Sequence, residues 1–189
     1  MATVVEYKKL VMKEITLHDK IFTNSISSEE IDLNVSEIAC QLNLDYINKT
    51  PILIGVLNGS FMFLSDLVKK LTIQCEISFV KFSSYSGLKS TAYVKELIGF
   101  SENLTGKDVI IVEDIIDSGT TMECLLEKLN KFNPSSVKIA TFCFKPNAFI
   151  KNFEIDYVGM NISNDFIVGY GMDYDGLGRN LKEIYKLKD

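Results

Sequence analysis

A chain of 189 residues with 47% hydrophobic and 24% charged side chains has a globular composition, long enough for one well-buried core and short for two. Its net charge of −5, with dispersed lysines, argues against a nucleic-acid-binding surface. No apolar run approaches the roughly 18 residues of a membrane span, and Met1 to Lys20 contain no signal-peptide block. We therefore expect a single cytoplasmic domain over residues 1–189, with neither nucleic acid nor membrane as a partner.

The first half of the chain alternates helical and extended patterns. Ser27 and Ser28 precede two glutamates and an apolar stripe at helical spacing, which predicts a capped helix; the stripe consists of Ile31, Val35, Ile38, Leu42 and Tyr46. A strand at 52–57, a helix at 61–71 and a strand at 75–82 are expected to follow. This order is typical of βαβ units and predicts a mainly parallel sheet.

Residues 83–92 are small, polar and rich in hydroxyl groups, which predicts a long mobile loop. Beyond it, strands are expected at 93–100, 109–113, 137–144, 157–160 and 166–170, with a helix at 120–132 and a glycine-rich turn at 169–179. The four cysteines form no CxxC pair, which argues against a zinc or redox motif. The single histidine, His18, has no partner motif beside it, so a solvated or structural role is expected.

The stretch 109–121 is the most informative part of the chain. A β-branched run predicts a strand buried on both faces, and Glu113 and Asp114 stand at its carboxyl end, where ligands bind in open α/β sheets. The following loop, Asp117-Ser118-Gly119-Thr120-Thr121, leads into an amphipathic helix whose unpaired N–H groups favour an anion. A helix cap alone would explain one hydroxyl, whereas three hydroxyls, a glycine and three acids indicate a site for a phosphorylated sugar.

The acids in this stretch also predict a cofactor. A polyphosphate approaching three clustered carboxylates would be repelled unless a divalent cation lay between them. Mg²⁺ commonly binds through one or two carboxylates plus substrate phosphates. We therefore expect a magnesium-dependent site.

The segment from Glu113 to Thr121, Glu-Asp-Ile-Ile-Asp-Ser-Gly-Thr-Thr, resembles the phosphoribosyl pyrophosphate (PRPP) signature of the type I phosphoribosyltransferases. Its form is similar to that of the family members that act on hypoxanthine and guanine, and the similarity extends from about Glu14 to about Lys186. The resemblance implies the family's fold, a mainly parallel twisted sheet flanked by helices with a small hood from the N- and C-terminal segments. Family members are commonly dimers or tetramers, so a homodimer or homotetramer is expected.

Within the signature, the resemblance implies that Glu113 and Asp114 hold the ribose hydroxyls, with or through the metal. Ser118, Gly119, Thr120 and Thr121 would bind the 5′-phosphate. Asp117 would take a proton from the purine's N7 as N9 attacks the anomeric carbon, the general-base role.

Elsewhere, the resemblance implies that the backbone of Leu57, Asn58 and Gly59 holds pyrophosphate, with a non-proline cis peptide at the Leu57–Asn58 bond. Arg179, the only arginine, would add its guanidinium to the same group. The chain departs from the family at Asn58, where lysine is the commonest residue, so the side chain there brings no positive charge. From spacing alone, an ordinary strand-to-helix turn explains the first three residues at least as well, and a surface arginine is the alternative for Arg179.

For the purine, the resemblance implies that Lys145 donates to O6, that Phe166 stacks on the base, and that main-chain groups of Ile167 and Asp173 read its edge or hold a second metal. Spacing alone would make Lys145 a solvated strand-end lysine and 166–170 a core strand. Ser84 and Tyr85 match the family's flexible loop, which closes over the site.

The resemblance thus implies a purine-salvage pentosyltransferase that converts PRPP and hypoxanthine or guanine to IMP or GMP and pyrophosphate. A PRPP-binding regulator of the same fold without transferase activity is the competing reading, because fold alone does not fix function. The negative net charge and the presence of Asp117, Lys145 and Arg179 together favour the enzyme.

Overall fold

The computed structural model describes residues 13–85, 93–100 and 102–188. Within these ranges the chain forms three α-helices, a six-stranded sheet and a four-stranded sheet. In chain order the elements are β1 (Glu14–Leu17), β2 (Lys20–Ile26), α1 (Ser28–Asp45), β3 (Ile52–Leu57), α2 (Phe61–Lys70), β4 (Glu76–Tyr85), β5 (Tyr93–Ile98), β6 (Asp108–Ile116), α3 (Thr120–Leu129), β7 (Ser136–Phe144), β8 (Tyr157–Asn161), β9 (Ile167–Val168) and β10 (Ile184–Leu187).

The larger sheet has the strand order β5-β4-β3-β6-β7-β8. All its neighbouring pairs are parallel except β4 with β5 at one edge, which are antiparallel. The chain runs outward from β3 through β4 and then returns to β6 on the other side of β3. The order therefore reverses between β3 and β6, and the carboxyl ends of these two strands border the crevice where such sheets bind ligands.

Helices cover both faces of this sheet because its central strands are apolar on both sides. Ile110 and Val112 pack with α1 and α2 in one buried cluster, whereas Val109 and Ile111 pack with α3 in another. Helix α1 begins where predicted, with Ser27 Oγ accepting a hydrogen bond from the Glu30 N–H at 3.2 Å. Its apolar stripe is buried.

The smaller sheet is antiparallel, with the order β1-β2-β10-β9, so it joins the two ends of the described chain. This confirms the expected hood. Ile26, Ile167 and Ile184 from the hood belong to the same buried cluster as α1 and α2. The hood therefore packs onto the helical layer beside the carboxyl ends of β3 and β6.

Strand β6 is longer than predicted. The acids Glu113 and Asp114 lie inside it, because β7 continues to pair with it at Ile115 and Ile116. The loop at the carboxyl end of β6 therefore starts at Asp117 rather than directly after Glu113.

Helix α3 is shorter than predicted. It ends at Leu129 and continues as one 3-10 turn, Asn130–Phe132, before Asn133 adopts a left-handed conformation with φ 49°.

The strand predicted at 75–82 extends to Tyr85, into the segment that was predicted to be a loop. The backbones of Ser84 and Tyr85 belong to β4 and pair with Val94 and Tyr93 of β5, because the antiparallel hairpin extends that far. Residues 86–92 lie outside the described residues, so the mobility of this segment stays a prediction.

The strand predicted at 166–170 is reduced to the two residues of β9. Gly169 and Tyr170 end it because both have positive φ angles, 96° and 48°.

His18 is exposed at the turn between β1 and β2. Among the described helices, none is both long and apolar enough to cross a bilayer.

Candidate active site

The loop after β6 forms a small pocket at the N-terminus of α3. Gly119 occupies the position before the helix with φ 84°, and Ser118 Oγ lies 3.2 Å from Thr120 Oγ1. Gly119 has no side chain with which to cap this helix, and the Thr120 N–H makes only a long hydrogen bond of 3.4 Å to Ser118 Oγ. The N–H groups of Thr121 and Met122 therefore remain available for an anion. The pocket is lined by Glu113, Ile115, Ile116, Asp117, Ser118, Gly119, Thr120, Thr121 and Met122.

Gly119 meets two separate requirements of this loop. Its positive φ suits a residue without a side chain. A Cβ at this position would also come within 2.6 Å of Phe149 Cε2 and 2.9 Å of Lys151 Cγ. The segment after β7 therefore packs directly against the backbone of the loop at Gly119.

The two acids inside β6 are desolvated. Burial and the neighbouring Asp114 charge raise the pKa of Glu113, and Glu113 Oε2 has no hydrogen-bond partner among the described residues. Burial raises the pKa of Asp114 to about 6, against the opposing effects of backbone hydrogen bonds and Arg179. A buried carboxylate oxygen without a partner is costly, so Glu113 favours a cation or a hydroxyl donor from a ligand.

Asp117 stands at the junction of this pocket with a second one. The second pocket lies between the sheet and the hood and shares Ile115 and Asp117 with the first. It is lined by Asn58, Gly59, Asp114, Ile115, Asp117, Lys145, Phe166, Ile167, Met172, Asp173 and Arg179. The residues predicted from distant parts of the sequence for the purine and the pyrophosphate are therefore brought together here, apart from Leu57.

Lys145 and Asp117 form an ion pair across the second pocket, with Nζ and Oδ2 3.2 Å apart. Lys145 is 7% exposed, whereas the Asp117 side chain is 55% exposed. The Lys145 N–H also donates to the Ile116 carbonyl at 3.0 Å, which fixes the end of β7 beside the end of β6. The lysine is thus held on the wall of the pocket rather than solvated at a strand end.

The turn after β3 lies against Asp114. The Leu57–Asn58 peptide bond is cis. A Cβ at Gly59 would come within 1.8 Å of Asp114 Oδ2, and a Cβ at Gly171 within 1.9 Å of the Gly59 carbonyl oxygen. The turn, the acid and the glycine-rich segment of the hood are in direct contact, and glycine permits that contact.

For the PRPP site that the resemblance implies, we expect Gly59→Ala to weaken PRPP binding by about 5- to 150-fold, because overpacking a dense site typically costs about 1–3 kcal/mol. The added methyl group would push the Asp114 carboxylate from its position. Calorimetric titration with PRPP and Mg²⁺ measures the effect.

Gly106→Ala is the matched control, because Gly106 has φ 73° and open space around its Cβ position. It should cost roughly 1–2 kcal/mol of stability through backbone strain alone and leave PRPP affinity unchanged. Equal affinities for the two variants would show that contact with Asp114 does not matter.

Asp173 and Arg179 close the second pocket on the hood side. Arg179 Nη2 lies 2.6 Å from Asp173 Oδ1, and its Nη1 donates to the Gly171 carbonyl at 2.7 Å. Asp173 Oδ2 accepts from the Gly176 N–H at 2.7 Å. The guanidinium has donors left over for a ligand, since only part of its fork is used.

The predicted metal ligands do not form a closed cage. Among the described residues, no three His, Cys, Asp or Glu side chains are grouped so as to hold a metal ion by themselves. Glu113, Asp114 and Asp173 border the two pockets, however, and the Glu113 carboxylate oxygen without a partner fits a hard cation. Such a cation would need several of its oxygen ligands from a substrate or water, as Mg²⁺ usually does.

Phe166 and Ile167 line the same pocket in different ways. Phe166 is 46% exposed, whereas Ile167 is buried in the cluster that contains α1 and α2. Ile115 and Met172 also line this pocket and were not predicted from the sequence. Their positions directly after Asp114 and directly before Asp173 were the available signal, because the neighbours of polar site residues often line the same pocket.

Comparison with known proteins places this geometry in a family. Residues 25–175 match the family model for the phosphoribosyl transferase domain. A hypoxanthine-guanine phosphoribosyltransferase of Streptococcus agalactiae is 41% identical over 164 residues, covering 86% of this chain and 91% of that protein.

Solved structures give the same result. The crystal structure of a hypoxanthine-guanine phosphoribosyltransferase of Bacillus anthracis superposes with a TM-score of 0.83 at 37% identity, covering 87% of this chain and 98% of the other. The hypoxanthine phosphoribosyl transferase of Trypanosoma cruzi also gives a TM-score of 0.83, at 32% identity, with 92% of this chain and 95% of that one covered.

Proposed function

The chain belongs to the phosphoribosyl transferase family, with hypoxanthine-guanine phosphoribosyltransferases among its relatives, and from that premise we propose that it transfers the phosphoribosyl group of PRPP to hypoxanthine or guanine. The products are IMP or GMP and pyrophosphate. The protein is thus a glycosyltransferase of purine salvage.

One observation carries this proposal. Two pockets adjoin at Asp117, one built from a helix N-terminus and hydroxyl groups, the other from an aromatic ring, a buried lysine and an arginine. A phosphate and a flat heterocycle need these two surroundings. A residue shared by both pockets stands where a bond between the two ligands would form.

In the first pocket, Ser118, Gly119, Thr120 and Thr121 bind the 5′-phosphate through their hydroxyl and N–H groups. Glu113 and Asp114 accept hydrogen bonds from the ribose hydroxyls or hold the metal. Their burial supports this role, because a desolvated carboxylate gains most from a ligand that donates to it.

Glu113, Asp114 and Asp173 would hold Mg²⁺ bound to PRPP, and the ion would supply positive charge to neutralise the pyrophosphate. Arg179 and the backbone of Leu57, Asn58 and Gly59 bind the same group. Asn58 contributes no charge, so Arg179 supplies the cationic side chain at this part of the second pocket.

In the second pocket, Lys145 Nζ donates to O6 of the purine, Phe166 stacks on the ring, and main-chain groups of Ile167 and Asp173 read its edge. Purine binding exchanges part of the Lys145–Asp117 ion pair for bonds to the base. The support for this arrangement is that Lys145 is buried and its ammonium already lies at the junction of the pockets.

During the reaction, purine N9 forms a bond to the anomeric carbon while the bond from that carbon to pyrophosphate breaks, its electrons leaving with pyrophosphate. Asp117 accepts the N7 proton. In the transition state the anomeric carbon carries positive charge, and closure of the segment that includes Ser84 and Tyr85 keeps water away from it.

We further propose that the protein is a single-domain cytoplasmic enzyme and a homodimer or homotetramer.

Pyrophosphate release with PRPP and a panel of nucleobases tests the proposed function. Release with hypoxanthine and guanine supports it. PRPP binding without release for any base would instead favour the regulator of the same fold.

We expect PRPP binding to require Mg²⁺, because Glu113 and Asp114 otherwise face a polyanion. Calorimetric titration of PRPP should give a measurable dissociation constant with Mg²⁺ and no detectable binding in excess EDTA. Ribose 5-phosphate, which lacks pyrophosphate, is the control and should bind under both conditions. Tight PRPP binding in EDTA would mean that the protein's own cations suffice.

A further inference from the structure

The turn between β1 and β2 contacts the segment that carries the pocket residues Asp173 and Arg179. The Tyr174 hydroxyl donates to Asp19 Oδ1 at 2.8 Å, and His18 Nε2 donates to the Asp175 carbonyl at 3.2 Å. A Cβ at Gly178 would come within 2.9 Å of Leu17 Cδ1. The hood hairpin therefore holds this segment at several consecutive points.

Tyr174 also contacts the aromatic side chain of the second pocket. Its ring meets the Phe166 ring edge to face, with centroids 5.9 Å apart and an interplanar angle of 81°. Phe22, fully buried in the hood, lies 6.2 Å from the Phe166 ring and 6.0 Å from the Tyr174 ring. Phe166 is thus in contact with two rings of the hood while nearly half of its surface stays exposed.

We propose that Tyr174 is a positioning residue that fixes the orientation of the Phe166 ring and thereby sets the affinity of the site for the purine. The proposal rests on the proposed function, since it assumes that Phe166 stacks on the base. Asp19 takes part indirectly, by fixing the rotation of Tyr174 through its hydroxyl group.

The physical reason is conformational entropy. An exposed phenylalanine without a neighbour samples several rotamers, and a ligand that stacks on it must immobilise it. Ordering one side chain on binding weakens affinity by roughly 2- to 12-fold. A ring held by Tyr174 avoids most of that loss, because its edge-to-face contact restricts the rotation of Phe166 before the purine arrives.

Binding of inosine 5′-monophosphate and of ribose 5-phosphate separates the contribution of the base from that of the sugar phosphate. Tyr174→Leu should raise the dissociation constant of inosine 5′-monophosphate about 2- to 12-fold and leave that of ribose 5-phosphate unchanged. It should raise KM for hypoxanthine by a similar factor and leave kcat and KM for PRPP near their wild-type values. Tyr174→Phe keeps the ring and should restore most of the affinity.

Glu14→Ala is the matched control, because it removes another exposed tie within the hood, the Glu14–Lys188 ion pair at 2.7 Å, without touching Phe166. It should leave both dissociation constants unchanged. If Tyr174→Leu weakened the binding of inosine 5′-monophosphate and of ribose 5-phosphate equally, Tyr174 would only stabilise the hood. The same conclusion would follow if Glu14→Ala lost as much affinity as Tyr174→Leu. If the wild type binds and turns over its substrates as proposed and Tyr174→Leu behaves like the wild type, this inference alone is overturned. If the wild type transfers no phosphoribosyl group, the proposed function is overturned.

Discussion

Asp117→Asn should lower kcat by about 10²- to 10⁴-fold while PRPP still binds, because a general base contributes on that order and an amide cannot take up the N7 proton. The side chain lies at the junction of the two pockets and is more than half exposed, so an amide fits in its place. The substitution removes the charge that pairs with Lys145, but the amide oxygen can still accept a hydrogen bond from Lys145 Nζ. Single-turnover kinetics with preformed enzyme–PRPP complex measure the chemical step separately from binding.

Asp108→Asn serves as the control for this experiment. Asp108 begins the same strand at its opposite end, where it contacts Lys49 at 3.8 Å, far from both pockets. It should leave the chemical step at the wild-type rate. If Asp117→Asn instead lost most of its PRPP affinity and turned over bound substrate normally, Asp117 would be a binding residue and not the base.

Lys145→Gln should nearly abolish the discrimination between hypoxanthine and adenine. Lysine has donors and no acceptor, so a buried Lys145 matches an oxygen at purine position 6 and leaves a donor unpaired opposite an amino group. Sites built in this way discriminate by about 10⁴–10⁵-fold. Glutamine both donates and accepts, so the ratio of kcat/KM for the two bases should fall toward unity, mainly through loss of activity with hypoxanthine.

Lys138→Gln is the matched substitution at the other end of β7. Lys138 is also paired with an aspartate, Asp156, at 2.6 Å, but it is only partly buried and is remote from the pockets. Its base preference should equal that of the wild type. A wild-type protein that uses adenine as well as hypoxanthine, or an unchanged preference in Lys145→Gln, would remove Lys145 as the selector of the base.

The sequence predicted those features whose signals are local. The apolar run before Glu113 and the glycine with hydroxyls after Asp117 specify a strand, a turn and a helix start within a dozen residues, and the structure has all three. The stripe on α1 was predicted equally well, because one buried face of a helix is a periodic pattern.

The errors have a common physical cause, which is pairing between distant segments. Strand β6 runs to Ile116 only because β7 continues beside it, and Ser84 belongs to a strand only because β5 pairs with it. The short strands of the hood, β1 and β10, carry little periodicity of their own. Their place in the sheet depends on partners far away in the sequence.

The site shows the same division. Its residue types were readable in sequence, but their mutual contacts were not. The Lys145–Asp117 pair joins residues 28 positions apart. The contacts of Gly59 with Asp114 and with the Gly171 position appear only when three segments meet at one edge of the sheet. Close backbone approach leaves no sequence signal beyond the glycines themselves.

Analysis of the reaction products is the decisive test of the proposed transferase activity. Protein incubated with Mg²⁺, PRPP and hypoxanthine should form IMP and pyrophosphate in equal amounts, as measured by chromatography of the complete reaction mixture. Guanine in place of hypoxanthine should give GMP in the same proportion, and adenine should give almost no nucleotide. Hydrolysis of PRPP without nucleotide formation, or no reaction by protein that binds PRPP, would contradict the proposed activity.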